Sequence, residues 1–93
     1  GGHRITLKGL RRLLPFVPAG QVLRITEIGC GDGNNLRIIQ QWAAKQKISV
    51  QLHGIDYNKA CIEYARTVPK NKNITFTCAD YRKATATPKQ HII

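Results

Sequence analysis

Apolar residues recur along this chain with two periods, one helical and one extended. Leu7, Leu10 and Leu14 repeat at helical spacing, with Arg4, Lys8, Arg11 and Arg12 on the opposite face. That pattern predicts a short amphipathic helix over 5–17, ended by Pro15 and Pro18. VLRITEI at 22–28 is rich in β-branched residues and runs straight into glycines, which predicts a buried strand. From 34 to 47 the positions Leu36, Ile38, Ile39, Trp42 and Ala43 form an apolar stripe of helical period. ISVQLHGID at 48–56 alternates Ile48, Val50 and Leu52 and reads as a second strand. Asn58 is placed to cap a helix through Ala60, Cys61, Tyr64 and Ala65 that stops before Pro69. NITFTCAD at 73–80 alternates Ile74, Phe76 and Cys78 as a third strand, and HII at 91–93 begins a fourth.

Strands alternating with helices imply parallel pairing through right-handed crossovers. The expected fold class is therefore α/β: a Rossmann-like, doubly wound parallel sheet, incomplete, with three strands, the start of a fourth and an N-terminal helix. Residues 1–20 read as the leader helix and its connector, and 21–93 as the sheet-forming part.

Composition adds bounds. Ninety-three residues allow one modest core. The 42% hydrophobic content with 22% charged residues is that of a globular chain. There is no Met, so the sequence reads as an excerpt or processed product. No apolar run approaches the roughly 18 residues of a membrane span. Cys30, Cys61 and Cys78 are odd in number and without a CxxC pair, which fits reduced thiols in a cytoplasmic protein better than disulfides or a metal site. Fifteen Lys and Arg against five Asp and Glu give a net charge of +10, which first suggests a polyanionic partner such as nucleic acid.

The five acids are more specific than the bases. Glu27-Ile28-Gly29-Cys30-Gly31-Asp32-Gly33-Asn34 falls where the first strand hands over to a helix. Glycines there permit a tight turn and close approach of a ligand to the backbone, and a helix N-terminus favours an anionic group. The alternative is a glycine-rich turn that serves packing alone. The spacing is GxGxG, with Asn34 where a dinucleotide fingerprint has its third glycine, and no Lys-Ser or Lys-Thr pair follows, which excludes a P-loop. Glu27, two residues before the first glycine, suits a ligand with a positive group and would repel a pyrophosphate. Asp56 closes the second strand, where a carboxylate can accept from two ribose hydroxyls. Asp80 closes the third, Asp32 lies within the glycine loop, and Glu63 has an ordinary helix-surface position.

EIGCGDGN at 27–34 resembles motif I of the class I S-adenosylmethionine-dependent methyltransferases. HGIDYN at 53–58 and FTCADYRK at 76–83 are similar to the segments after that family's second and third strands. The resemblance spans 21–93 and makes this part the N-terminal half of a cofactor-binding methyltransferase domain. It implies S-adenosylmethionine as cofactor, with the backbone at Gly29, Cys30 and Gly31 along its methionine part. Glu27 would hold the ammonium through water, Asp56 both ribose hydroxyls, and Tyr57 the adenine face. Asp80 would accept from the adenine amino group, and the Tyr81 amide would meet a ring nitrogen.

The reaction implied is methyl transfer by in-line displacement to a small-molecule acceptor. The residues that select the acceptor and take its proton are expected beyond the fourth strand, so no catalytic residue is assigned and these residues alone are not expected to be active. Two other readings stay open. One is a nucleic-acid-binding protein or RNA methyltransferase that uses the bases as a docking surface, although the aromatic interleaving of single-strand binders is thin. The other is a nicotinamide- or flavin-binding half, against which the glycine spacing and Glu27 count. His3 and His53 read as ordinary polar or packed residues.

Overall fold

β-Branched runs, glycine turns and one well-placed asparagine account for most of the architecture. The computed structural model describes residues 20–80 and 90–92, together with 9, 11, 12, 15 and 18. Its elements are β1 (Leu23–Ile28), α1 (Asn34–Gln46), β2 (Val50–Asp56), α2 (Lys59–Thr67), a single 3-10 turn (Pro69–Asn71), β3 (Ile74–Cys78) and β4 (Gln90–Ile92). The strands form one parallel sheet in the order β3-β2-β1-β4. Gly9, Arg11 and Arg12 are helical, Pro15 lies in a 3-10 turn, and the other residues of the leader helix expected over 5–17 lie outside the described residues.

The sheet order is what positions the site. From β1 to β2 to β3 the chain steps in one direction, so both right-handed crossovers place α1 and α2 on the same face. β4 returns to the other side of β1, so the order reverses beside β1. In an open parallel sheet that switch point opens a crevice at the carboxyl ends of the strands. The glycine loop leaves β1 at this point.

On the helix-covered face, Leu23 and Ile25 of β1, Leu52 of β2 and Ile74 and Phe76 of β3 pack against Leu36, Ile39, Trp42 and Ala43 of α1 and Ile62 and Ala65 of α2. The buried face of α1 excludes Ile38, which is 43% exposed, so the expected stripe is one residue narrower. The buried pair on α2 is Ile62 and Ala65, whereas Tyr64 points outward and is 60% exposed. The opposite face carries exposed Arg24, Gln51, Thr75 and Thr77 and half-buried His53, with a shallow depression of about 360 Å³ lined by Arg24, Thr26, Gln51, His53 and Thr75. His53 bonds to the hydroxyls of Thr75 and Thr77 on the neighbouring strand, and burial lowers its pKa.

Helix ends explain where the strands differ from expectation. The backbone N–H groups of Lys47 and Ile48 donate to Ala44 and Ala43 carbonyls, closing α1 with Lys47 in the left-handed region at φ 57°. This is the Schellman arrangement. It consumes the Ile48 N–H, so β2 starts at Val50 instead of 48. Asn58 caps α2 as expected, its side chain accepting from Cys61 N at 3.1 Å. β3 ends at Cys78, which is exposed, two residues before the expected end at 80.

Gly54 lies mid-strand between Glu27 and Phe76 on the helix-covered face. A Cβ there would sit 2.6 Å from Cys30 Sγ and 3.0 Å from Phe76 Cδ1, so the strand must lack a side chain for the loop to fold back on it. Gly54→Ala should therefore destabilise the fold by about 1–3 kcal/mol. Denaturation midpoints should show a smaller penalty in a Cys30→Gly background. Equal penalties in both backgrounds would overturn this steric account.

Candidate functional site

The glycine loop is stitched to the end of β2 by three hydrogen bonds. Gly29 N and Cys30 N both donate to the Ile55 carbonyl, at 2.7 and 3.1 Å. Gly31 N donates to Asp56 Oδ2 at 2.9 Å. The other carboxylate oxygen, Oδ1, accepts from Asn58 N at 2.8 Å. Asp56 thus joins the loop after β1 to the start of α2. It is buried, and two amide partners leave a carboxylate with further lone pairs to offer.

Gly29 and Gly31 have φ of 75° and 56°, a region that disfavours side chains, and a Cβ at either would meet nothing within 4 Å. Their backbone borders open space, and that bare edge is what a ligand lying along the loop requires. Cys30 between them points the other way, into the core.

Glu27 is buried at the end of β1, its Oε2 accepting from Asn35 Nδ2 at 2.8 Å. Asn35 is in the first turn of α1, so the carboxylate faces a helix N-terminus, where negative charge is favoured. Burial, and then the charges of Asp56 and Glu27, push the Cys30 thiol up to about 12 from an ordinary 9.0. Both carboxylates are therefore close to the same loop. Tyr57, immediately after Asp56, is 74% exposed and free to cover a flat ligand. Ala79 N donates to the Asp56 carbonyl at 3.0 Å, which brings the segment carrying half-buried Asp80 to the same sheet end. Tyr81 lies outside the described residues.

Sequence reasoning missed the residues that hold this loop from behind. Asp32 Oδ1 accepts from Asn34 N at 3.1 Å and lies 3.7 Å from Arg37 Nη2. The Asp32 carbonyl accepts from Arg37 Nη1 and from Asn71 Nδ2, both at 3.0 Å. Asn35 was legible in principle, as a polar residue within a turn of a strand-end acid. Asn71 was not, because nothing local distinguishes it from its lysine neighbours. Among the described residues no group of three or more His, Cys, Asp or Glu is placed to hold a metal ion, and no helix is long and apolar enough to cross a membrane.

An open parallel sheet with a glycine loop at its switch point and carboxylates at successive strand ends defines a nucleoside-binding α/β domain of the Rossmann-like class. Within that class, residues 25–92 match the family model described as a methyltransferase domain. The chain belongs to this family, the class I S-adenosylmethionine-dependent methyltransferases. No curated protein matches it. Among solved structures it is similar to the plantazolicin methyltransferase BpumL, in complex with SAH and a monoazolic desmethylPZN analog, at 26% identity and a TM-score of 0.55, over 71% of this chain and 23% of that one. The complex of the same enzyme with a triazolic analog matches at 27% identity, again with a TM-score of 0.55 and the same coverage. The CMeT domain of the citrinin polyketide synthase shares the fold at 23% identity and a TM-score of 0.65, over 90% of this chain and 24% of that one. The chain thus spans about a quarter of the length of these relatives.

The thiolate is the reactive form of cysteine. At pH 8 an alkylating reagent should modify exposed Cys78 and leave Cys30 intact until the protein is denatured, as read by peptide mass spectrometry. Since the folded pKa of Cys30 is raised, its stabilising effect is complete below pH 9 and is lost as pH rises toward 12. Early alkylation of Cys30 in the native protein would contradict the packing described above.

Proposed function

We propose that residues 21–93 are the cofactor-binding half of an S-adenosylmethionine-dependent methyltransferase whose acceptor is a small molecule. The observation that carries this reading is the geometry at Asp56. A buried carboxylate is held by Gly31 N and Asn58 N beside a loop whose Gly29 and Gly31 present bare backbone to open space. A ligand with vicinal hydroxyls and a charged amino-acid tail fits that set of groups.

Bound S-adenosylmethionine supplies an electrophilic methyl group on a sulfonium, and this chemistry requires no nucleophile from the protein. The work of the chain's own residues is binding and orientation. Asp56 accepts from the ribose hydroxyls through its remaining lone pairs. Glu27, held by Asn35, provides negative charge for the ammonium, and the backbone of Gly29, Cys30 and Gly31 runs along the methionine portion. Tyr57 would cover the adenine, and Asp80 would accept from its amino group. Cys30 takes no chemical part, since its thiol is buried and stays protonated at neutral pH. A small-molecule acceptor is supported by BpumL, solved with desmethylPZN analogs. No described residue is assigned to the acceptor.

Asp56→Ala in the full-length protein should weaken S-adenosylhomocysteine binding by about 10- to 150-fold, the equivalent of roughly 1.5–3 kcal/mol for the lost charge-assisted hydrogen bonds. Isothermal titration calorimetry reads this directly, and unchanged affinity would overturn the assignment.

A further inference from the structure

Asn71 is 2% exposed, and its side-chain amide is fully used. Nδ2 donates to the Asp32 carbonyl at 3.0 Å and to the Ala65 carbonyl at 2.8 Å, while Oδ1 accepts from Arg37 Nη1 at 3.1 Å. It lies 39 residues from Asp32 and reaches it because the 3-10 turn after α2 folds back against the start of α1. Gly33 completes the contact, since a Cβ there would come 3.2 Å from Asn71 Nδ2 and 2.8 Å from Phe76 Cζ.

We propose that Asn71, with Arg37, is a positioning residue for the cofactor: it fixes the glycine loop from behind, so that the loop is ordered before the ligand arrives. The inference rests on the cofactor site proposed above. The loop contains three glycines at positive φ (Gly29, Gly31 and Gly33), the residues with the most alternative conformations to lose. Asp56 holds its front at Gly31 N, and Asn71 and Arg37 hold its back at the next carbonyl, that of Asp32. If the rear contact is removed, the loop regains conformations that do not present its bare backbone edge at Gly29 and Gly31, and the cost of selecting the right one falls on binding. Asn71 itself touches no ligand in this scheme.

The test compares ligand affinity with loop order in the full-length protein. Asn71→Ala should weaken S-adenosylhomocysteine binding roughly 10-fold, the affinity equivalent of one lost hydrogen bond. In the ligand-free protein the Gly31 amide should exchange faster with solvent. Ile74→Val, at the far end of β3, lowers stability without touching the loop and should bind as the parent does. Arg37→Ala should act in the same direction, and the double variant should lose less than the sum of the two, because both side chains donate to one carbonyl.

Asn71→Asp keeps the shape and the partner for Arg37 but removes both N–H donors, and it decides the matter if the alanine variant does not fold. If neither Asn71 variant folds, Arg37→Ala decides it. Parent-like affinity and parent-like Gly31 exchange in whichever of these variants folds would overturn the proposal. If the parent protein itself binds no S-adenosylhomocysteine, the cofactor reading fails, while Gly31 exchange still reports whether the brace orders the loop.

Discussion

The carboxylate of Asp56 accepting from Gly31 N is the contact on which the site depends. A strand-to-helix loop with three left-handed glycines has no intrinsic reason to hold one shape. Here it is given one by the end of the adjacent strand, through the Ile55 carbonyl and the Asp56 side chain. The same contact imposes a demand one residue before Ile55. For the loop to lie on β2, Cys30 must pack over position 54, and only a residue without a side chain leaves room. Glycine in mid-strand is normally a weakness. At this position the close approach it permits is what lets the loop and the sheet act as one unit.

The loop is held on two sides by groups of different kinds. In front is an acid with lone pairs to spare, able to serve the loop and a ligand together. Behind is a neutral amide, Asn71, whose two N–H donors and carbonyl oxygen are all engaged within the fold. The difference follows from position. A group that meets ligand must keep unused hydrogen-bonding capacity, whereas a fully buried polar group must be completely satisfied or it costs the fold stability. Trp42 Nε1 is the counterexample, buried with no hydrogen-bond partner among the described residues.

Much of this was legible in the sequence, because it is written in local patterns. β-Branched runs marked β1 and β2, the glycines marked the turn at the switch point, and Asn58 marked the start of α2. The strand-end acids could be placed because strand ends are set by those same runs. What local pattern could not show was which residues meet across the sheet. α2 packs against β2 and β3, and the face it turns to them carries Ile62 and Ala65 instead of Tyr64. β2 begins late because the end of α1 takes the Ile48 N–H. The role of Asn71 depends on a fold-back over 39 residues, for which no short motif exists.

Charge is the point on which sequence and fold together say more than either alone. A net charge of +10 would dominate an argument from composition, yet surface charges act over only about a Debye length, roughly 8–10 Å. Within that range of the glycine loop the protein places Glu27 and Asp56, both buried, and the half-buried Asp32. Burial strengthens their field, because water is displaced from around them. The Cys30 thiol is raised by its own burial first and by the charges of Asp56 and Glu27 second. Arg37 pairs with Asp32, and its guanidinium also donates to the Asp32 carbonyl and to Asn71. Among the described residues, the loop is therefore bordered by buried acids that the net charge does not reveal.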